Sequence, residues 1–172
     1  DPEMRKLTES GLPCIAIDAE LGGERTGYVM SQNRQGAAQA VRHLYELGHE
    51  RIATISGPTK MLPGEDRLTG YREELARLGL PARDEYVLEG DFYDESGYRA
   101  TRQLLELDEP PTALFAASDL MAAGALRAAH DLGVAVPEGL AIVGFDDIAL
   151  AALIQPPLTT VRQNMEAIGE AA

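Results

Sequence analysis

The chain has 172 residues, 45% of them hydrophobic and 25% charged, enough for one packed domain or for one large lobe plus part of another, which excludes wholesale disorder. Its net charge of −13 repels phosphate backbones and anionic lipid, so these residues do not read as a nucleic-acid or membrane surface. Trp is absent, aromatics make up 5%, and Cys14 is the single cysteine, which leaves little for a base-stacking platform and excludes an intrachain disulfide or a Cys-rich metal site.

Strand and helix signals alternate along the chain. A first helix is expected to end near Ser10 and Gly11. Residues 13–17 read as a short buried strand that takes in the Cys14 thiol and stops at Asp18. A Gly-rich loop over 20–27 and an extended run over 28–31 follow. Ala37, Ala40, Val41, Leu44 and Leu47 recur at helical spacing over 36–47, with Gly48 as the stop. Residues 51–56 are β-branched and alternate, so they read as a strand. After a loop containing Gly57, Pro58, Pro63 and Gly64, the spacing of Leu68, Tyr71, Leu75 and Leu78 predicts a helix ended by Gly79. Further strands are predicted over 86–89, 112–117 and 140–145, with a last extended piece over 158–161. Between them lie a helix capped by Asp94 and running to Leu107, and one capped by Ser118 and running to Leu132. The apolar run 148–154, IALAALI, reads as a short surface helix, and another helix begins near the chain end. No apolar run approaches the roughly 20 residues of a membrane span.

Strands separated by helices are the sequence form of repeated βαβ units, which implies an α/β fold with a doubly wound parallel sheet. Open sheets of this kind bind ligands beyond the carboxyl ends of their strands. The residues just past the predicted strand ends are Asp18, the segment 57–61 with Met61, then Gly90, Asp91 and Phe92, then Ser118 and Asp119, then Asp146 and Asp147. Arg67, at the start of the helix after the second of these, can reach the same rim. Carboxylates, a guanidinium and one aromatic face suit a polyhydroxylated or heteroaromatic small molecule. Each residue also has a plainer reading: Ser118 as a helix cap, Asp146 and Asp147 as a turn, Phe92 as core, and Arg67 as the partner of Glu65 or Asp66. The argument rests on their falling together at one edge. Catalytic signals are missing. His43, His49 and His130 have no metal-binding spacing, and there is no nucleophile elbow, P-loop or dinucleotide fingerprint, so no enzyme and no cofactor is expected.

Several stretches follow one another in a known order. Residues 36–57 read GAAQAVRHLYELGHERIATISG, and 67–71 read RLTGY. Gly90, Asp91 and Phe92 are followed by Ser96, Gly97 and Tyr98; residues 117–124 read ASDLMAAG; then come VPE at 136–138, VGFDD at 143–147 and PLTTVRQ at 157–163. In this order and approximate spacing the chain resembles the effector-binding part of LacI/GalR-family transcriptional regulators. The resemblance covers nearly the whole chain from Pro13 onward.

The resemblance implies a type I periplasmic-binding-protein-like fold of two lobes joined by crossing strands. Residues 33–156 would be one nearly complete lobe. Residues 1–32 would be part of the other lobe, and 157–172 the return to it. The helix-turn-helix head and hinge would be missing, so operator DNA is not expected to bind these residues alone. Implied function is a cytoplasmic sensor of a small polar effector, a sugar or sugar derivative, bound between lobes in a homodimer; the alternative is a sugar-binding component of an importer. Arg67 would clamp the ligand, Asp146 would accept its hydrogen bonds, Phe92 would be the aromatic wall, and Ser118 and Asp119 would be polar site residues. Met61 and Pro63 stand where purine-sensing relatives place an Arg and a Thr, which argues against that purine mode. Gln32-Asn33 replaces a common Asp-Asn pair at the crossing, and Ser118 replaces a common Asn. The run 148–154 lacks a polar face, an independent reason to expect a dimer surface.

Overall fold

The computed structural model describes Lys6, residues 10–19, Gly22 and residues 25–172. The chain divides into two compact units, residues 33–162 and residues 1–32 with 163–172. The larger unit holds five parallel strands, β3 (Ile52–Ser56), β4 (Val87–Glu89), β5 (Ala113–Ala116), β6 (Ala141–Asp146) and β7 (Thr159–Arg162), ordered β4-β3-β5-β6-β7. Its helices are α1 (Asn33–Glu46), α2 (Leu62–Leu78), α3 (Asp94–Leu105), α4 (Asp119–Asp131) and α5 (Ala149–Leu153). Strand direction out of β3 goes first to β4 and then back past β3 to β5, so the order reverses at β3, where open sheets form their ligand crevice.

Period-two alternation sorts the strands onto two cores. Ile52, Phe115, Val143 and Phe145 face Ala37, Val41, Leu44, Tyr71 and Leu75 of α1 and α2. Ala53, Ile55, Leu114, Ala116 and Ile142 face Ala100, Leu104, Met121 and Ala125 of α3 and α4. The central strands are buried throughout, as parallel strands covered on both faces must be. Each helix pair crosses at a glycine. A Cβ on Gly70 would lie 2.2 Å from the Arg34 carbonyl oxygen, and one on Gly124 would lie 1.9 Å from that of Asp94. The glycines of the RLTGY and ASDLMAAG stretches therefore serve close helix packing.

Several expectations change. Helix α1 begins at Asn33, a turn before the apolar spacing shows, because Asn33, Arg34 and Gln35 are polar. Tyr93 occupies the N-cap position of helix α3 without a side-chain cap hydrogen bond, and Asp94 lies inside its first turn. The boundary expected at residue 157 moves, since β7 hydrogen-bonds along β6 from Val143–Thr159 to Asp146–Arg162 and so completes the larger sheet.

In the smaller unit β1 (Cys14–Ile17) and β2 (Thr26–Val29) pair in parallel, and α6 (Met165–Ala171) is capped by Asn164, whose Oδ1 accepts from the Ala167 amide at 3.1 Å. The extended run sits at Thr26–Val29 rather than 28–31. In β1 only Ala16 is buried; Cys14 is half-buried and Ile15 and Ile17 are exposed, so the buried strand expected there is buried on one face of a two-stranded sheet alone. The first predicted helix and much of the Gly-rich loop lie outside the described residues. Among the described residues no helix is long and apolar enough to cross a membrane.

Candidate functional site

The carboxyl edge of the five-stranded sheet gathers side chains from four connections. Arg67, in the second turn of α2, is the hub. It lies deeper than the rim position that the sequence suggests, at 3% exposed. Its Nη1 donates to the carbonyl oxygen of Ala117, just past β5, at 2.6 Å, and to Asp146 Oδ1, at the end of β6, at 3.3 Å. Its Nε donates to Asn33 Oδ1, at the first residue of α1, at 2.9 Å. The guanidinium carbon stands 3.8 Å from the Phe145 ring centroid and 5.7 Å from that of Phe92, within reach of cation–π attraction for both. A buried charge needs such partners, because desolvation without them would be prohibitive. The alternative partner Asp66 instead pairs with Arg34 at 2.7 Å.

Phe92 follows β4 and is half-buried, its ring lying where a side chain on Gly57 would stand. Its φ of +71° is a conformation that bulky residues avoid. Ser118 secures it: the Ser118 hydroxyl donates to the Phe92 carbonyl at 3.0 Å and accepts from the Met121 amide at 3.1 Å, capping α4. Asp146 and Asp147 also have positive φ, +115° and +59°, so the edge concentrates backbone strain of the kind that surrounding structure must over-determine.

Ser118 and Asp119, both expected at the ligand, make hydrogen bonds within the protein. Ser118 is buried, with its hydroxyl committed as donor and as acceptor. Asp119 is 0% exposed; one oxygen accepts from the Thr160 hydroxyl of β7 and the other from the Ile148 amide at 2.8 Å. Burial pushes its carboxyl above the usual range, against the lowering effect of the Thr160 and Ile148 hydrogen bonds. Asp119 thus ties together the connection carrying Asp146 and Asp147, the start of α5, and β7. Met61, at 51% exposed, is the N-cap of α2 on the rim. Arg162 pairs with Asp147. Sequence reasoning placed Asn33 at the crossing but not at the site, and missed Phe145. The former sits in a polar stretch with no spacing signal, and the latter reads as ordinary strand core until Arg67 is seen lying over it.

Asp18, past the end of β1 in the smaller unit, accepts from the Ser31 amide at 2.6 Å and from its hydroxyl at 2.7 Å. Among the described residues no group of three or more His, Cys, Asp or Glu could hold a metal ion.

A doubly wound parallel lobe with a buried Arg paired to a half-buried carboxylate, and an aromatic wall beside them at its carboxyl edge, defines a ligand-binding domain. Residues 41–172 match the family described as the periplasmic binding protein-like domain, and the chain belongs to that family, in the effector-binding form carried by LacI-family transcriptional regulators. It is 43% identical over 171 residues to the HTH-type transcriptional regulator CelR of Thermobifida fusca, covering 98% of this chain and 50% of the relative. It is 47% identical over 140 residues to the HTH-type transcriptional repressor CytR of Escherichia coli K12, covering 81% of this chain and 41% of the relative. The solved structure of a transcriptional regulator CelR–cellobiose complex superposes with a TM-score of 0.92 at 42% identity, over 99% of this chain and 53% of that one. The chain thus spans about half the length of the curated relatives it matches. These relatives are regulators rather than enzymes, in line with the missing catalytic motifs.

Proposed function

We propose that this chain senses a sugar and that sugar occupancy sets the DNA affinity of the regulator it belongs to. The observation that carries this reading is the Arg67–Asp146 pair, 3.3 Å apart, framed by Phe92 and Phe145 at the carboxyl edge. A hydroxyl both donates and accepts. A carboxylate backed by a guanidinium offers it an acceptor and a donor side by side, while a ring packs on the apolar face of a pyranose. Likeness to the CelR–cellobiose complex makes cellobiose the first probe. In this reading DNA is held by a helix-turn-helix segment outside these residues, which the HTH names of the relatives and the charge of −13 support. Such a regulator acts in the cytoplasm, where the DNA is. The sugar's differential affinity for two arrangements of the protein supplies the switching energy, typically about 1–3 kcal/mol.

The regulator is a homodimer in this reading. Leu153 on α5 is 76% exposed and Ile148 is exposed beside it. An open groove lined by Ala123, Leu126, Arg127, His130, Ile154 and Gln155 begins at Ile154, next to Leu153 in the chain, a strip of mixed apolar and polar side chains that a second copy would cover.

The test is calorimetric titration of the full-length regulator with cellobiose and a panel of mono- and disaccharides. Arg67→Ala and Asp146→Asn should each weaken the best sugar roughly ten- to hundredfold, the loss of about 1.5–3 kcal/mol expected when a charge-assisted hydrogen bond goes. Wild-type affinity in both variants would remove the pair from the site, and no sugar binding at all would end the sugar reading.

A further inference from the structure

Asn33 is buried, polar and the first residue of the larger unit, where the chain arrives from the smaller one. Its neighbours leave it no slack. Helix α1 is pressed backbone-to-backbone on α2 at Gly70, where a Cβ would lie 2.2 Å from the Arg34 carbonyl oxygen. One turn along, a Cβ on Gly36 would come 2.7 Å from the Phe145 ring, the same ring that lies under the Arg67 guanidinium. The first turn of α1 is therefore fixed to the two elements that carry Arg67 and Asp146. From that fixed turn Asn33 Oδ1 accepts the Arg67 Nε–H at 2.9 Å.

We propose that Asn33 is a positioning residue for the effector site: it sets the plane of the Arg67 guanidinium and so the geometry in which Arg67 and Asp146 present themselves to a sugar hydroxyl. This rests on the reading of that pair as the effector site. A guanidinium is planar, and its Nε–H and Nη–H vectors are locked together. Held at Nε by Asn33, at Nη1 by the Ala117 carbonyl, and on its face by Phe145, it has one orientation. Without the Nε acceptor, a buried N–H of a charged group loses its partner, and the guanidinium must turn or admit water to satisfy it. Either change shifts Nη1 relative to Asp146.

The experiment uses the full-length regulator in three forms: wild type, Asn33→Ser and Asn33→Asp. Ser keeps a residue suited to a helix start but is too short to reach Arg67; Asp keeps an acceptor oxygen at the same place and suits a helix N-terminus. Calorimetry with cellobiose, glucose and maltose gives affinity, urea unfolding gives stability, and ¹⁵N-edited NMR reports whether an arginine Nε–H is protected from exchange with water. The expected result is that Asn33→Ser weakens the best sugar tenfold or more and loses one protected Nε–H. Asn33→Asp keeps that signal and stays within about threefold of wild type. A purely structural Asn33 would lower the unfolding midpoint of Asn33→Ser while its folded fraction bound sugar like wild type, and that result overturns the proposal. If Asn33→Ser does not fold, Asn33→Asp decides: a tenfold loss with the acceptor in place overturns it as well, and retained affinity with a protected Nε–H supports it. If no sugar binds the wild type, the sugar reading has failed by itself, and the NMR comparison still judges Asn33. No protected Nε–H in the wild type, or one that persists in Asn33→Ser, would then sink the assignment.

Discussion

Phe92 keeps its left-handed backbone because its surroundings leave it nowhere else to go. Its carbonyl is bonded by Ser118, and its ring fills the space where Gly57 has no side chain. Gly57→Ala tests the aromatic wall without altering the wall itself. The new methyl would stand 2.0 Å from Phe92 Cζ, so the ring must swing away. A weakening of roughly tenfold in sugar affinity is expected, about what loss of one good apolar contact gives, with far-UV circular dichroism unchanged. Phe92→Ala should weaken binding to a similar extent. If it instead destabilises the fold by the roughly 3–5 kcal/mol typical of a core Phe, the ring is core and not wall. At this scale the sequence is informative about type and place but silent about partners. Ser118 is legible as a cap, whereas its bond to a carbonyl 26 residues away is not. Asp119 and Arg67 are legible as edge residues, yet both turn inward, because burial is decided by what packs over them and not by their neighbours in the chain.

Helices α1 and α2 meet over more than apolar surface. Glu74 of α2 is buried and takes Arg77 at 2.7 Å and Arg42 of α1 at 2.8 Å. Hydrogen bonding from Arg77 first, and then from Arg42, holds its carboxyl down to about 2 despite the opposing effect of burial. The folded-state value lies below the unfolded one, so this carboxylate stabilises the fold at every pH above its ordinary value of 4.5. That stabilisation is lost as pH falls from there through about 2. The depression corresponds to about 3 kcal/mol at 1.36 kcal/mol per pH unit, and water around the half-exposed guanidiniums screens this to about 1–2 kcal/mol. Urea unfolding of Glu74→Gln should show that deficit at pH 7, shrinking between pH 4.5 and pH 3; a deficit independent of pH would mean that the pair contributes packing and no charge. Among the elements, those with strong period-two or helical spacing were readable from sequence to within a turn. The misplaced ones are short or polar, β2 and the start of α1; the extended piece expected over 158–161 is found as β7, but its place in the larger sheet is visible only in its pairing with β6.

For the whole molecule, association is the property most open to measurement. Leu153→Glu places a charge in the exposed strip beside α5, and sedimentation equilibrium of the full-length protein should show the variant dissociating while it stays folded. A wild type that is monomeric at high concentration would remove the dimer. The route of β7 has a practical meaning for anyone who wishes to handle the larger unit by itself. Cut at residue 156, the sheet would end on β6, and the row of amides and carbonyls from Val143 to Asp146 now paired with β7 would lie bare. A naked, largely apolar sheet margin of that kind recruits strands from other molecules, so a gene trimmed there should give aggregates. Trimmed at residue 162, it carries its own margin strand, a short TTVR run ending on an arginine, and that is the kind of edge natural sheets use to stay apart.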